Sequence, residues 1–332
     1  MSQKKIAFIG TGGTISSLGA GPLDLHDYGL QNNRMEADAI LEKFPEVQTV
    51  ANVFPVRYRA IPSTQINFSD WQALVLLCDK LVAEHPDLAG IVIGHGTATI
   101  EETAYFLSLT LKISIPVVIT GSQRPASALS TDAGLNLVNA VRVAASPEAR
   151  NMGVLVVLND EIHAAREVSK TSTHRMQTFR SADFGALGHA DGDAIVFYHR
   201  PLRRVYPDTE FDIRTVAELP RVDIALTYAG MDDTIIKALI AAGARGIVSA
   251  GFAPGFPTPI EAKALGEAVR QGIVVVQSTR AGSGRVFHSA RLRTEGILVA
   301  DNLLPQKARL LLALALTRTH DPAELARIFN TY

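Results

Sequence analysis

The chain has 332 residues, 32 Lys and Arg against 33 Asp and Glu, a formal net charge of −1, 47% hydrophobic and 6% aromatic residues. Near-neutral charge removes the field that would gather nucleic acid or an anionic membrane, and no apolar run reaches the roughly 18 residues needed to span a bilayer. The length exceeds the roughly 250 to 300 residues at which one core stops growing, and the Ala-, Val-, Leu- and Ile-rich composition suits strands buried on both faces, so we expect an α/β chain of two domains acting on a small molecule.

Residues 6–9, IAFI, read as a short buried strand that ends in Gly10, Gly12 and Gly13 and hands over to Thr14. Chemistry in a parallel α/β sheet sits where strands pass into loops, which makes Thr14 the first candidate nucleophile. A glycine turn here can also cradle a phosphate or dinucleotide. Against that, GTGGT lacks the third glycine of GxGxxG, the next strand-like run, 50–61, does not end on an acid for a ribose, and no GKS or GKT is present. Residues 17–33 are polar and aperiodic and read as a flap carrying Tyr28, a second candidate hydroxyl. MSQKK leads straight into the first strand with no h-region of a leader, from which a cytoplasmic protein is expected.

Helical spacing over 35–44 is followed by the strand 50–61, broken by Pro62-Ser63-Thr64. Ser69 and Asp70 read as the N-cap region of a helix over 71–84, which places Cys78, the single cysteine, in the core. A third strand, 90–93, runs into Gly94-His95-Gly96-Thr97-Ala98-Thr99, where Thr99 and Glu102 have capping-box spacing. Thr14, Ser63 and Thr97 then converge on one crevice. His95 is an alternative catalyst, or a residue that fixes its loop by hydrogen bonds. Strands at 115–120 and 152–158 follow, with Ser130, Thr131 and Asp132 capping a helix over 133–143, and the segment after Asn159-Asp160-Glu161 returns Lys170 to these loops. Five β-then-α units predict a doubly wound, mainly parallel sheet.

Between 192 and 219 the chain turns basic and proline-bearing, and we place a catalytic N-terminal domain at 1–196, a linker at 197–219 and a smaller α/β domain at 220–332. The latter has strands at 222–227, 246–249 and 273–277, helices at 233–242, 259–270 and 305–317, and a terminal helix from Asp321-Pro322. With no HExxH and one cysteine, neither a metal nor a cofactor is expected. No GxSxG elbow is present, which leaves a threonine nucleophile served by a lysine.

GTGGTIS, HGTATIEETAYFL, PVVITGSQRP, GVLVVLNDEI with REVSKTST, and LLPQKARLLLALALT together resemble the bacterial L-asparaginase and glutaminase-asparaginase family over essentially the whole chain. The resemblance implies a homotetramer of intimate dimers that hydrolyses a small amide through a covalent acyl-enzyme. It implies Thr14 as nucleophile, the flap Tyr28 as its activator, Thr97 and Lys170 as proton handlers and Ser63 on the substrate α-carboxylate. Backbone donors around Thr97 and Ala98 would hold the oxyanion. The family's THGTDT reads GHGTAT here, so Ala98, beside Gly96 and Thr97, replaces an aspartate that pairs with the substrate ammonium. Thr64 replaces a glutamine and Pro254 an asparagine. Either Asp24, Asp27 or Asp160 rebuilds the ammonium site of an asparaginase, or the substrate is a related amide, less readily a lactone, without that group. A non-catalytic binding protein would not need Thr14, Tyr28, Thr97 and Lys170 together.

Overall fold

A computed structural model of the chain describes residues 3–30 and 32–332, so Gln31 of the expected flap and the start of the MSQKK segment lie outside the described residues. The chain divides into two compact units, Met1–Glu210 and Phe211–Tyr332.

In the first unit, β1 (Lys5–Gly12) is followed by α1 (Ala37–Lys43), the single turn α2 (Val47–Val50) and β2 (Asn52–Ile61). Next come α3 (Phe68–Glu84), β3 (Leu88–Gly94), α4 (Ile100–Thr110), β4 (Val117–Thr120), α5 (Ala133–Ala145) and β5 (Val154–Leu158). The remainder is strand: β6 (Glu161–Ala164), β7 (Ser169–Lys170), β8 (Phe179–Arg180), β9 (Gly188–Ala190) and β10 (Ile195–Phe197). Eight strands form one sheet in the order β10-β9-β6-β5-β4-β3-β1-β2, while β7 and β8 make a separate ribbon. Strands β1 to β5 pair in parallel. Ile6 and Phe8 of β1 pack on one face with Val92, Val118, Leu137 and Val141, and α3 and α4 lie against β3, β4 and β5. A strand covered on both faces has no solvent side, which is why IAFI is apolar without alternation.

The antiparallel half of the sheet differs from the expected run of five β-then-α units. Asn159 and Asp160 stand at φ 52° and 63°, both in the left-handed region that a tight hairpin turn demands. They turn β5 directly into antiparallel β6, with Leu158 opposite Glu161, so no helix follows β5. Helix starts also differ. Asn67, not Ser69 or Asp70, caps α3, accepting from Ser69 N while Asp70 reaches back to the Asn67 amide. Thr99 makes no side-chain cap on α4, because its hydroxyl donates to Ser63 O at 2.9 Å. Asp132 makes no bond to an α5 backbone amide, since its carboxylate accepts from Gln123 N, Arg124 N and the Asn136 side chain, while Thr131 Oγ1 accepts from Ala133 N at 3.3 Å. Cys78 lies fully buried in α3.

The second unit repeats the parallel plan with β11 (Val222–Leu226), α6 (Thr234–Ala241), β12 (Gly246–Gly251), α7 (Pro259–Arg270) and β13 (Val274–Thr279). It closes with α8 (Ala290–Glu295), β14 (Leu298–Val299), α9 (Pro305–Leu316) and α10 (Pro322–Thr331), and its sheet order is β11-β12-β13-β14. Short α8 and β14 carry too few residues for a period and escaped the sequence reading. Among the described residues no helix is long and apolar enough to cross a membrane.

Candidate active site

The loops leaving β1, β2 and β3 meet at the C-terminal edge of the parallel strands, and glycine is what lets them. Gly13 stands at φ 80°, and a Cβ there would lie 2.2 Å from Gly96 Cα. A Cβ on Gly96 would in turn meet Ser63 Oγ at 2.6 Å. Backbone therefore packs on backbone at Gly13 and Gly96, the Ser63 side chain packs directly on Gly96, and three hydroxyl-bearing loops come together. Gly13 N is fixed by Ile61 O at 3.1 Å, and Ser16 and Ser17 hydroxyls donate to Gly13 O at 2.8 and 2.9 Å, which holds the turn that presents Thr14.

The flap returns beside this turn, with Leu18 N donating to Asn33 O and Met35 N to Ser16 O. It brings the Tyr28 hydroxyl to 3.0 Å from Thr14 Oγ1. A second pair stands in the same cavity, where Lys170 Nζ donates to Thr97 Oγ1 at 2.7 Å. Burial pushes the Lys170 amine below the ordinary lysine range, against the opposing pull of Glu101. A lysine so placed gives up its proton more readily than one in water.

The cavity has a volume of about 280 Å³ and is lined by Thr14, Tyr28, Ser63, Thr64, Gly96, Thr97, Ala98 and Lys170, whereas His95, Asp24, Asp27, Asp160 and Pro254 are not among its lining residues. Gly13, Ser17, Gly29, Arg34 and Pro62 complete the lining. Arg34 escaped the sequence reading; its one available signal was its place at the end of the flap, where it bridges to Ser17. No Asp or Glu is among the described residues that line this cavity. Asp24 is occupied within the flap by Ala20 N and Asp27 N, each at 3.0 Å, and Asp160 by Asn139 Nδ2 at 2.8 Å. Pro254 lies in the second unit, in the turn after β12.

His95 is fully buried behind the Thr97 loop and does not line the cavity. Gly96 O, an acceptor only, lies 2.8 Å from its Nδ1, so Nδ1 carries the proton and Nε2 accepts from the Thr103 hydroxyl at 3.0 Å. Thr103 in turn accepts from Trp71 Nε1 at 2.9 Å. Burial lowers the His95 pKa to about 4, so the ring stays neutral and serves as a strut for the Gly96 carbonyl.

Two paired hydroxyls around a small cavity, one beside a phenol and the other beside a desolvated amine, suit nucleophilic attack on a carbonyl carbon followed by proton transfer to a leaving group. Comparison with known proteins gives the same direction. Residues 5–203 match the family model "Asparaginase, N-terminal", and residues 221–329 match "Glutaminase/Asparaginase C-terminal domain". The chain is 40% identical to L-asparaginase 2 of Bacillus subtilis (strain 168), over 100% of this chain and 88% of that protein. It is 39% identical to a glutaminase-asparaginase of Pseudomonas fluorescens biotype A, covering 98% and 90%. The structure of a probable cytoplasmic L-asparaginase from Campylobacter jejuni superposes with a TM-score of 0.94 at 36% identity, covering 100% of both chains.

Proposed function

The chain belongs to the glutaminase/asparaginase family, and on that premise we propose that it hydrolyses the side-chain amide of L-asparagine to aspartate and ammonia with Thr14 as nucleophile. The observation that carries this reading is the pair of contacts Thr14–Tyr28 and Thr97–Lys170 around one cavity. Thr14 Oγ1 attacks the amide carbon and loses its proton on the Tyr28 side. Backbone N–H groups around Thr97 and Ala98 hold the oxyanion. The C–N bond breaks as Thr97, backed by Lys170, protonates the departing nitrogen, and ammonia leaves an ester on Thr14. Water, deprotonated by the same pair, then cleaves the ester and restores the hydroxyl. Ser63 and Thr64 take the α-carboxylate. Thr14→Ala is expected to lower kcat by at least about 10³-fold with an unchanged far-UV spectrum; activity within tenfold of the parent removes the assignment.

A second reading is favoured by the acid-free lining of the cavity, where Arg34 and Lys170 face the substrate space and Ala98 is exposed. An amide with a carboxylate but no ammonium then fits as well as asparagine does. If so, succinamate is turned over at least as efficiently as asparagine, and Ala98→Asp shifts kcat/KM towards asparagine. A wild-type preference for asparagine of about tenfold or more, unimproved by Ala98→Asp, shows that an acid outside this lining already holds the ammonium.

The reading extends to a catalytic domain over 1–196, a linker over 197–219 and a smaller domain over 220–332, and to a homotetramer, supported by the full-length match to the family. A cytoplasmic site of action is supported by the description of the Campylobacter jejuni neighbour.

A further inference from the structure

Outside the cavity, three polar side chains are strung together beside the ribbon that carries Lys170. His163 sits on β6, whose alternate residues Ile162 and Ala164 point into the core, so Glu161 and His163 share the opposite face. His163 Nε2 lies 3.1 Å from Glu161 Oε2 and its Nδ1 lies 3.0 Å from Ser181 Oγ. The hydrogen bond from His163 holds the Glu161 carboxyl below the ordinary carboxylate range, with His189 and Arg180 adding to it. An ionised Glu161 accepts only, so Nε2 donates to it, and Nδ1 lies within hydrogen-bond reach of the Ser181 hydroxyl. The order of types, carboxylate, imidazole, hydroxyl, is that of a hydrolytic triad. Ser181 is nevertheless 5% exposed, directly follows β8 and is not among the residues that line the cavity. It has no room for a substrate carbonyl, and the arrangement needs another purpose.

The chain path supplies one. From β6 the backbone turns at Ala164, whose carbonyl accepts from Glu167 N and Val168 N, and enters β7. In the ribbon Lys170 lies opposite Phe179 and Ser169 opposite Arg180, with Ser181 next along the chain. Beyond Lys170 the loop is sewn shut by Thr178, which bonds Thr171 and Ser172 through both backbone and hydroxyl. A two-stranded ribbon of two residues per strand has little stability of its own. It is tied to the main sheet by the chain at its Ala164 end and by the His163–Ser181 hydrogen bond where β8 leaves it.

We propose that Glu161, His163 and Ser181 are positioning residues that brace the β7–β8 ribbon against β6 and so set the approach of Lys170 to Thr97. The proposal rests on the amidase reading of Lys170. His163→Ala is expected to lower kcat on asparagine about tenfold or more, since displacement of a proton-transfer group by an ångström is costly, with KM within about threefold. The limb of the kcat–pH profile that follows Lys170 moves to higher pH as the loosened amine gains water. His163→Gln, whose amide can donate to Glu161 and accept from Ser181, recovers most of the loss. Ser181→Ala reproduces it and carries the same expectation should His163→Ala not fold. A kcat within twofold of the parent in Ser181→Ala, or a lowered melting temperature with an unmoved pH limb and no recovery by Gln, overturns the proposal. Lys170→Met run in parallel separates the two levels. Hydrolysis that survives Lys170→Met removes the role of Lys170 and the bracing proposal with it, whereas hydrolysis lost there but untouched by His163→Ala and Ser181→Ala overturns the bracing alone.

Discussion

Lys170 shows how the function of a single residue is set against the stability of the fold. Its amine is half-buried and its pKa is lowered, so the folded state binds the proton less well than the unfolded chain. A depressed lysine costs stability fully below its folded pKa, and that cost fades as pH rises towards the unfolded value. Lys170→Met is therefore expected to raise the melting temperature at neutral pH while abolishing turnover, with the stability gain shrinking as the pH climbs towards the unfolded-chain value of about 10.4 and gone above it. An unchanged or lower melting temperature at pH 7 contradicts this account. At this scale the sequence was informative where a residue belongs to a motif. Thr14, Ser63, Thr97 and Lys170 each sit at the end of a recognisable run, and all reach one cavity. Arg34 belongs to no run, and its presence on the wall depends on how the flap folds back to Ser17. His163 was equally silent, because a histidine in a strand looks the same whether it faces core or polar partner.

At the scale of elements, the site depends on loops touching through glycine. Gly13→Ala adds a methyl against Gly96 at a backbone angle that L-residues resist. It should destabilise the fold by about 2–4 kcal/mol in urea melts and depress kcat even in the folded fraction. Gly21→Ala, which meets nothing within 4 Å and needs no unusual φ, is the control and should stay within about 0.5 kcal/mol. Equal effects of the two substitutions would show that the loop contact is dispensable. Apolar periodicity located α3, α4, α5, α7 and α9 because long amphipathic or buried runs leave a pattern. Polar residues at helix starts misled where Thr99 spends its hydroxyl on Ser63 O and Asp132 bonds Gln123 N, Arg124 N and the Asn136 side chain instead of a helix amide, a tertiary choice invisible to local spacing. Asn159-Asp160 was read as the exit of a strand, yet such residues also suit the left-handed turn of a hairpin, and nothing in the local run decides between them.

At the scale of the molecule, the parallel half of the large sheet presents Thr14, Ser63 and Thr97 at its strand ends, and the antiparallel half brings Lys170 back to them. Alternation of strands and helices made the first half legible. The second half is short strands joined by turns, where tertiary pairing replaces periodicity. The chain also carries its own reporter of global opening. Cys78 is the single thiol, wholly enclosed in α3, and burial pushes its pKa up to about 12. An aromatic disulfide reagent should leave the native protein unlabelled over hours and modify one thiol per chain at once in denaturant. Between those limits the labelling rate measures how often the first unit opens, so a bound product that protects the fold slows the reaction in proportion to its affinity. Rapid stoichiometric labelling under native conditions would mean that α3 detaches without the rest, and the thiol would then time that local event.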